Sequence, residues 1–230
     1  MSSIRSSFNW PNLFGNDGLE TTTFRLVDAH SHCQISPLYE RRQEVITTAV
    51  ANGVSWTCVC STMPGEDWDR VKELATDESS KGFVIPAYGL HPWWIRRYFD
   101  SNSDINNPLM QSKECPQCED LAFDAYIILE SELRDILLDN RSACVGECGI
   151  DKPTKRDVPL SVQEIVLNKH LKVANELRRP IILHCVGSWG RLMEQLASFC
   201  AKEGDNIPSV ILHSVNSMHP ELVPAFLNLP

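Results

Sequence analysis

Six short apolar runs, separated by segments long enough to be helices, constrain this fold more than any other feature of the chain. They are FRLVDAH (24–30), VSWTCVC (54–60), FVIPAYGLH (83–91), ACVGECGI (143–150), PIILHC (180–185) and SVILHS (209–214). All are rich in Val, Ile, Leu and Cys with little polar alternation, the pattern of strands covered on both faces. Between them lie SPLYERRQEVITTAVANG, GEDWDRVKELATDESSKG, DAYIILESELRDILLDN, SVQEIVLNKHLKVANELRR and GSWGRLMEQLASFCAKEG, with apolar residues near helical spacing and Ser, Asp, Gly or Pro at their ends. Strand and helix alternating in this way build a parallel sheet.

The polar residues choose between an open sheet and a closed one. His30, His32, His91, Glu147, His184 and His213 all fall at or just after the C-terminal ends of predicted strands. An open doubly wound sheet concentrates its site at one switch point, whereas a barrel collects reactive groups from the same end of many strands. The expected fold is therefore an α/β TIM-type (β/α)8 barrel, of which about six of the eight βα units are present. Residues 24–230 are assigned to the barrel, 1–23 to a flexible N-terminal extension, and the polar, Asn/Ser-rich stretch at about 100–122 to a loop insertion.

Composition limits the function. A chain of 230 residues, 43% hydrophobic, can bury a sizeable core. The net charge of −9 argues against broad adhesion to nucleic acid, so an anionic substrate needs a local cationic or metal-lined site. Nine cysteines, an odd number spread through strands and helices, read as reduced thiols. No run approaches the roughly 20 apolar residues of a membrane span, and the N-terminus has no apolar signal core, so a cytoplasmic or nuclear location is expected.

On a strand, residues i and i+2 share a face, so Asp28, His30 and His32 point together and two imidazoles can meet one cation. An H-x-H at a strand end is weak evidence alone, since hydrogen-bonded structural histidines have the same spacing. Glu147, in VGECGID, sits in a strand too apolar for an unpaired carboxylate, and Gly146 and Gly149 beside it let backbone or ligand come close. IILHC and VILHS put His184 and His213 at equivalent places in successive strands. Four histidines and a carboxylate at one barrel mouth form an N/O donor set suited to Zn, Mn or Mg rather than Cu(I) or an iron–sulfur cluster. Asp28 and Asp151 are placed to orient ligand histidines from behind.

Other features are read on their merits. HPWWIRRYF (91–99) sets Trp93 and Trp94 beside Arg96 and Arg97, which can stack an unpaired base and contact phosphate, or simply pack a loop. CPQC (Cys115 to Cys118) has the spacing of half a zinc knuckle, but nothing completes it, and two loop thiols is the reading adopted. His170, mid-helix, and His219, at the start of the last helix, are read as surface or capping residues. The chain has no G-x-x-x-x-G-K-[ST], G-x-G-x-x-G or G-x-S-x-G, so nucleotide-hydrolase, dinucleotide and serine-hydrolase readings lack support.

In order and spacing, VDAHSHCQ, YGLHPWW, VGECGID, PIILHC and VILHSVN resemble the motifs of the TatD-related metal-dependent deoxyribonucleases of the amidohydrolase superfamily, from about residue 25 to the C-terminus. The resemblance implies two divalent ions held by His30, His32, Glu147, His184 and His213, with Glu147 as the bridge. It places His91, on the family's G-x-H-P histidine, near the substrate phosphate, and makes Glu147 and His91 the catalytic residues present. It implies DNA as partner, as single strands or 3′ ends, cleaved as an exonuclease would. Cys148 and Cys185 stand where other members often carry apolar or small polar residues. The family's further catalytic aspartate, at the end of the eighth strand, has no counterpart after His213. The sequence is accordingly expected to be a fragment of a longer enzyme, weakly active or inactive, with unpaired edges at its first and sixth strands. Two other functions fit the same residues: a hydrolase of a small amide or phosphoester, and a non-catalytic barrel that binds a protein partner.

Overall fold

The computed structural model describes residues 25–102, 123–203 and 209–229. The N-terminal extension and Cys115 and Cys118 of the insertion lie outside these residues. Six strands form one sheet: β1 (Leu26–Ser31), β2 (Val54–Cys60), β3 (Val84–Tyr88), β4 (Cys144–Asp151), β5 (Ile181–Val186) and β6 (Val210–His213). They lie in sequence order and every adjacent pair is parallel. The connections carry helices α1 (Arg42–Ala51), α2 (Trp68–Thr76), α3 (Ile95–Asn102), α4 (Phe123–Asp139), α5 (Leu160–Glu176) and α6 (Trp189–Glu203), and α7 (Val223–Leu227) follows β6. A sheet that adds each parallel strand to the same edge curls. Here it curls until the His30 ring at the end of β1 stacks on the His213 ring at the end of β6, centroids 3.6 Å apart. The architecture is the expected barrel, six strands nearly closed.

The period-2 alternation of each strand divides its side chains between two cores. Cys58 and Cys60 of β2, Ile85 and Ala87 of β3, Cys144 of β4 and Ile182 of β5 fill the barrel interior. Val59, Val84, Val145, Ile181 and Leu183 face outward instead, against Val71 and Leu74 of α2, Leu133 and Leu137 of α4, Leu167 and Leu171 of α5, and Leu192 and Leu196 of α6. Full burial of a leucine of this kind stabilises the fold by about 1.5–3 kcal/mol. Among the described residues no helix is long and apolar enough to cross a membrane.

Three expectations are corrected. Strands β2 to β5 are covered on both faces, but β1 is exposed over most of its length, with Leu26 and Val27 55% and 50% accessible, and β6 is half-buried. The cause is pairing: among the described residues β1 meets only β2, and β6 only β5. The segment after His91 contains α3, where only a loop was expected. Its Ile95, Tyr98 and Phe99 form a stripe at helical spacing and bury against Tyr126, Leu129, Val162 and Val166. His170 is neither surface nor cap: it is fully buried within α5, where Nδ1 donates to the Val166 carbonyl at 2.8 Å and Nε2 accepts from the Leu90 amide at 3.0 Å. That bond ties α5 to the turn that carries His91.

Candidate metal centre

Glu147 sits in the middle of β4, 2% exposed, at the centre of the barrel mouth. Close strand approach puts it there. A Cβ on Gly149 would lie 1.9 Å from the His184 carbonyl oxygen, and one on Gly89 would lie 2.7 Å from the Glu147 carbonyl oxygen. Only glycine admits such contacts, so β5 and the end of β3 close around the carboxylate.

The two carboxylate oxygens face different partners. Oε2 lies 3.3 Å from Nε2 of both His30 and His32, and those two nitrogens are 3.1 Å apart. Oε1 lies 2.9 Å from His184 Nδ1 and 3.7 Å from Nε2 of His91 and of His213. Burial alone would raise the Glu147 carboxyl, but the imidazoles of His184, His30 and His32 around it outweigh burial and hold the group well below the usual carboxylate range. It is an anion enclosed by imidazoles.

The histidines differ in what their rings can offer. His32 Nδ1 donates to the Cys60 carbonyl at 2.8 Å, which in the neutral ring leaves Nε2 as the lone pair, the tautomer of a metal ligand. The grouping His30, His32 and Glu147 thus converges two imidazole nitrogens and one carboxylate oxygen within 4.8 Å, a donor set that fits a divalent cation. His91 is different. The Trp93 backbone amide donates to its Nδ1 at 3.2 Å, so the ring proton sits on Nε2. Burial, opposed by the charge of Glu147, lowers its pKa to about 3, so the ring is neutral and offers an N–H rather than a lone pair. His91, Glu147 and His184 also lie within ligand distance of one another. In that second grouping His184 is held by two carboxylates, Nδ1 by Glu147 at 2.9 Å and Nε2 by Asp151 at 3.1 Å. Burial depresses its pKa, but these two carboxylates reverse the effect and raise it.

Asp151 reaches the His184 ring, its Oδ2 3.1 Å from Nε2. Its Oδ2 also accepts the Trp93 indole N–H at 2.9 Å, and its Oδ1 the Thr154 amide and hydroxyl, both at 3.0 Å. Asp28 is placed differently from expectation: it accepts from the His30 backbone amide at 3.2 Å and from the Thr57 hydroxyl at 3.3 Å, and touches neither imidazole of the H-x-H pair. Trp93 stays 60% exposed, its ring 4.8 Å from the His91 ring between centroids. Trp94 packs against the cluster of α3, α4 and α5, and the Arg97 guanidinium lies over its ring at 5.7 Å. Arg97 is paired with Glu66, and Arg96 with Asp100 at 3.6 Å. His219 is exposed, as expected, 3.7 Å from Glu221. Residues not singled out from sequence include Gln34, whose amide donates to the Cys60 carbonyl at 2.7 Å and to Asp67 at 3.0 Å, and Cys60 itself. Both act through contacts across the sheet and across loops, which no local pattern encodes.

A parallel barrel that gathers imidazoles and a carboxylate at the C-terminal ends of its strands is the arrangement in which such barrels carry their functional sites. The profile of the TatD-related DNase family matches residues 27–229, and the chain belongs to that family. It is 27% identical over 194 residues to an uncharacterized deoxyribonuclease of Saccharomyces cerevisiae, covering 73% of this chain and 59% of that protein. It is 29% identical over 217 residues to the Cut9-interacting protein scn1 of Schizosaccharomyces pombe, covering 80% of this chain and 61% of that one. The crystal structure of a TatD homolog from Escherichia coli K12 superposes with a TM-score of 0.63 at 20% identity, over 89% of this chain and 65% of that chain. The chain therefore spans about three fifths of the length of these curated relatives.

Proposed function

We propose that the protein is a metal-dependent phosphodiester hydrolase, a deoxyribonuclease that trims single-stranded DNA from its ends and works in the cytoplasm or nucleus. The observation that carries the reading is the division of labour at Glu147: one oxygen faces the His30 and His32 nitrogens at 3.3 Å, and the other faces His184 at 2.9 Å and His213 at 3.7 Å. With His30 and His32 at one carboxylate oxygen and His184 and His213 at the other, these four histidines and Glu147 would hold two divalent ions, Mg, Mn or Zn. Ions held there supply the positive charge that activates water and offsets the charge developing on a phosphoryl oxygen.

The chain's own groups do the rest. His91, neutral and with its proton on Nε2, donates a hydrogen bond to a phosphate oxygen without adding a charge that must be neutralised. Its orientation is held from two sides, by the Trp93 amide on its ring and by the His170 ring on the Leu90 amide next to it. Asp151 aligns His184 and, through its other contacts, fixes the Trp93 indole beside the site. The exposed Trp93 face is a platform for an unpaired base, worth about 1–3 kcal/mol by stacking. Arg96 and Arg97 on α3, paired with Asp100 and Glu66, would reach a phosphate by exchanging those carboxylates for it. The seven described cysteines are free thiols, which suits a reducing compartment.

The test is cleavage of end-labelled single- and double-stranded DNA in Mg2+, Mn2+ or Zn2+, with chelator and Glu147→Gln controls. End-trimming that disappears in both controls is expected; cleavage that survives both refutes the proposal. A second reading, a partner-binding barrel, draws on the relative named for its interaction with Cut9. A folded protein that binds metal and cleaves nothing would favour it.

A further inference from the structure

Both histidines of the H-x-H pair lean on one residue. Cys60 ends β2, fully buried in the barrel interior directly beneath the metal centre. Its carbonyl oxygen accepts from His32 Nδ1 at 2.8 Å, and its sulfur lies 3.4 Å from His30 Nδ1. We propose that Cys60 is the positioning residue of the metal centre: one main-chain and one side-chain atom of the same residue hold the two Nδ1 atoms and thereby aim both Nε2 atoms at Glu147. The proposal rests on the metal-centre reading above.

The two nitrogens of an imidazole lie on one rigid ring, so anchoring Nδ1 fixes the direction of Nε2, and a partner at Nδ1 selects the tautomer. The outcome is visible at the far side of both rings, where each Nε2 stands 3.3 Å from the same carboxylate oxygen. The two anchors are unequal. The carbonyl is itself held by the Gln34 amide at 2.7 Å and can only accept. The thiol is a weaker partner, its sulfur 3.9 Å from the Cys58 carbonyl oxygen and shared with contacts to Cys58 and Ser31 as well as His30. A substitution at residue 60 removes only the sulfur anchor, because the main-chain carbonyl survives. The effect of such a change passes through His30 alone.

Zn2+ affinity of the purified full chain, measured by competition with a chromophoric chelator, tests this. Cys60→Ala and Cys60→Val both delete the anchor but differ in volume, and both are expected to weaken Zn2+ binding about tenfold or more, the range typical when the partner of a ligand histidine is lost. Cys60→Ser keeps a polar atom at the position and is expected to bind within about threefold of wild type. Cys144→Ala removes a thiol from the same buried layer without touching either imidazole and is expected to bind within about twofold of wild type. Long-range 1H–15N correlations of the Zn2+-loaded protein supply a readout that a merely structural role would not move. His30 and His32 are expected to coordinate through Nε2 in wild type, and only His30 to lose that signature in Cys60→Ala and Cys60→Val. Equal affinities for wild type and both apolar variants overturn the proposal, as does an equal loss in Cys144→Ala. A wild-type chain that binds no Zn2+ overturns the metal-centre reading and this one with it.

Discussion

Replacing His170 by glutamine should flatten the acid side of this protein's stability curve. The fold accepts only the neutral ring, because it is fully buried, with Nδ1 donating to Val166 and Nε2 accepting from the Leu90 amide. A proton on Nε2 would set a donor against a donor. Burial lowers the pKa from 6.5 to about 4, only partly opposed by the bond to Val166. As pH falls, the unfolded chain takes up its proton near 6.5 and the folded chain only near 4, so stability present above pH 6.5 is lost across that window and levels off below it. The whole shift is worth about 3 kcal/mol, and the part lost between about pH 7.5 and pH 5 is about 2 kcal/mol. Urea unfolding followed by circular dichroism at those two pH values, for wild type and His170→Gln, isolates the group, since every other titrating residue is common to both. The wild-type loss should exceed the variant's by about 2 kcal/mol. Equal losses would refute the assignment of His170 as a buried neutral acceptor.

Gly149→Ala should destabilise by more than about 4 kcal/mol, read as loss of soluble protein or a collapsed melting temperature, because the new Cβ meets the His184 carbonyl and the residue has φ +150°. Asp151→Asn should leave the fold intact but weaken metal binding about tenfold, measured by the same competition titration, since it removes the carboxylate that aligns His184. Trp93→Phe should keep most single-stranded DNA affinity and Trp93→Ala should lose about 1–3 kcal/mol of it, measured by fluorescence anisotropy; equal loss in both would assign the effect to the indole N–H on Asp151 instead of to stacking.

The strands were legible because each is an apolar run with turn residues at its ends, and β2 was delimited to the residue. The metal-ligand candidates were legible for the same reason: His30, His184, His213 and Glu147 stand out against the apolar residues of their runs. What stayed hidden depends on partners distant in sequence. The exposure of β1 follows from its having a neighbour on one side only, which its composition does not record. The apolar stripe of α3 is three residues masked by two tryptophans and two arginines. His170 looks like any polar residue in a helix until the Leu90 amide is placed against it. The contacts of His30 and His32 with Cys60 join residues about thirty apart, one through a sulfur and the other through a carbonyl oxygen, an atom every residue has.

The stacking of His30 on His213 joins the first strand to the last. A contact of that sequence separation is costly to close, because the loop takes in the four intervening strands and their helices. The centre therefore cannot be assembled from an early folding subdomain, and a ribosome-bound chain holds at most a partial donor set until β6 has emerged. Metal uptake by the whole proposed donor set therefore waits for β6. A spectroscopic ion such as Co2+ would time it.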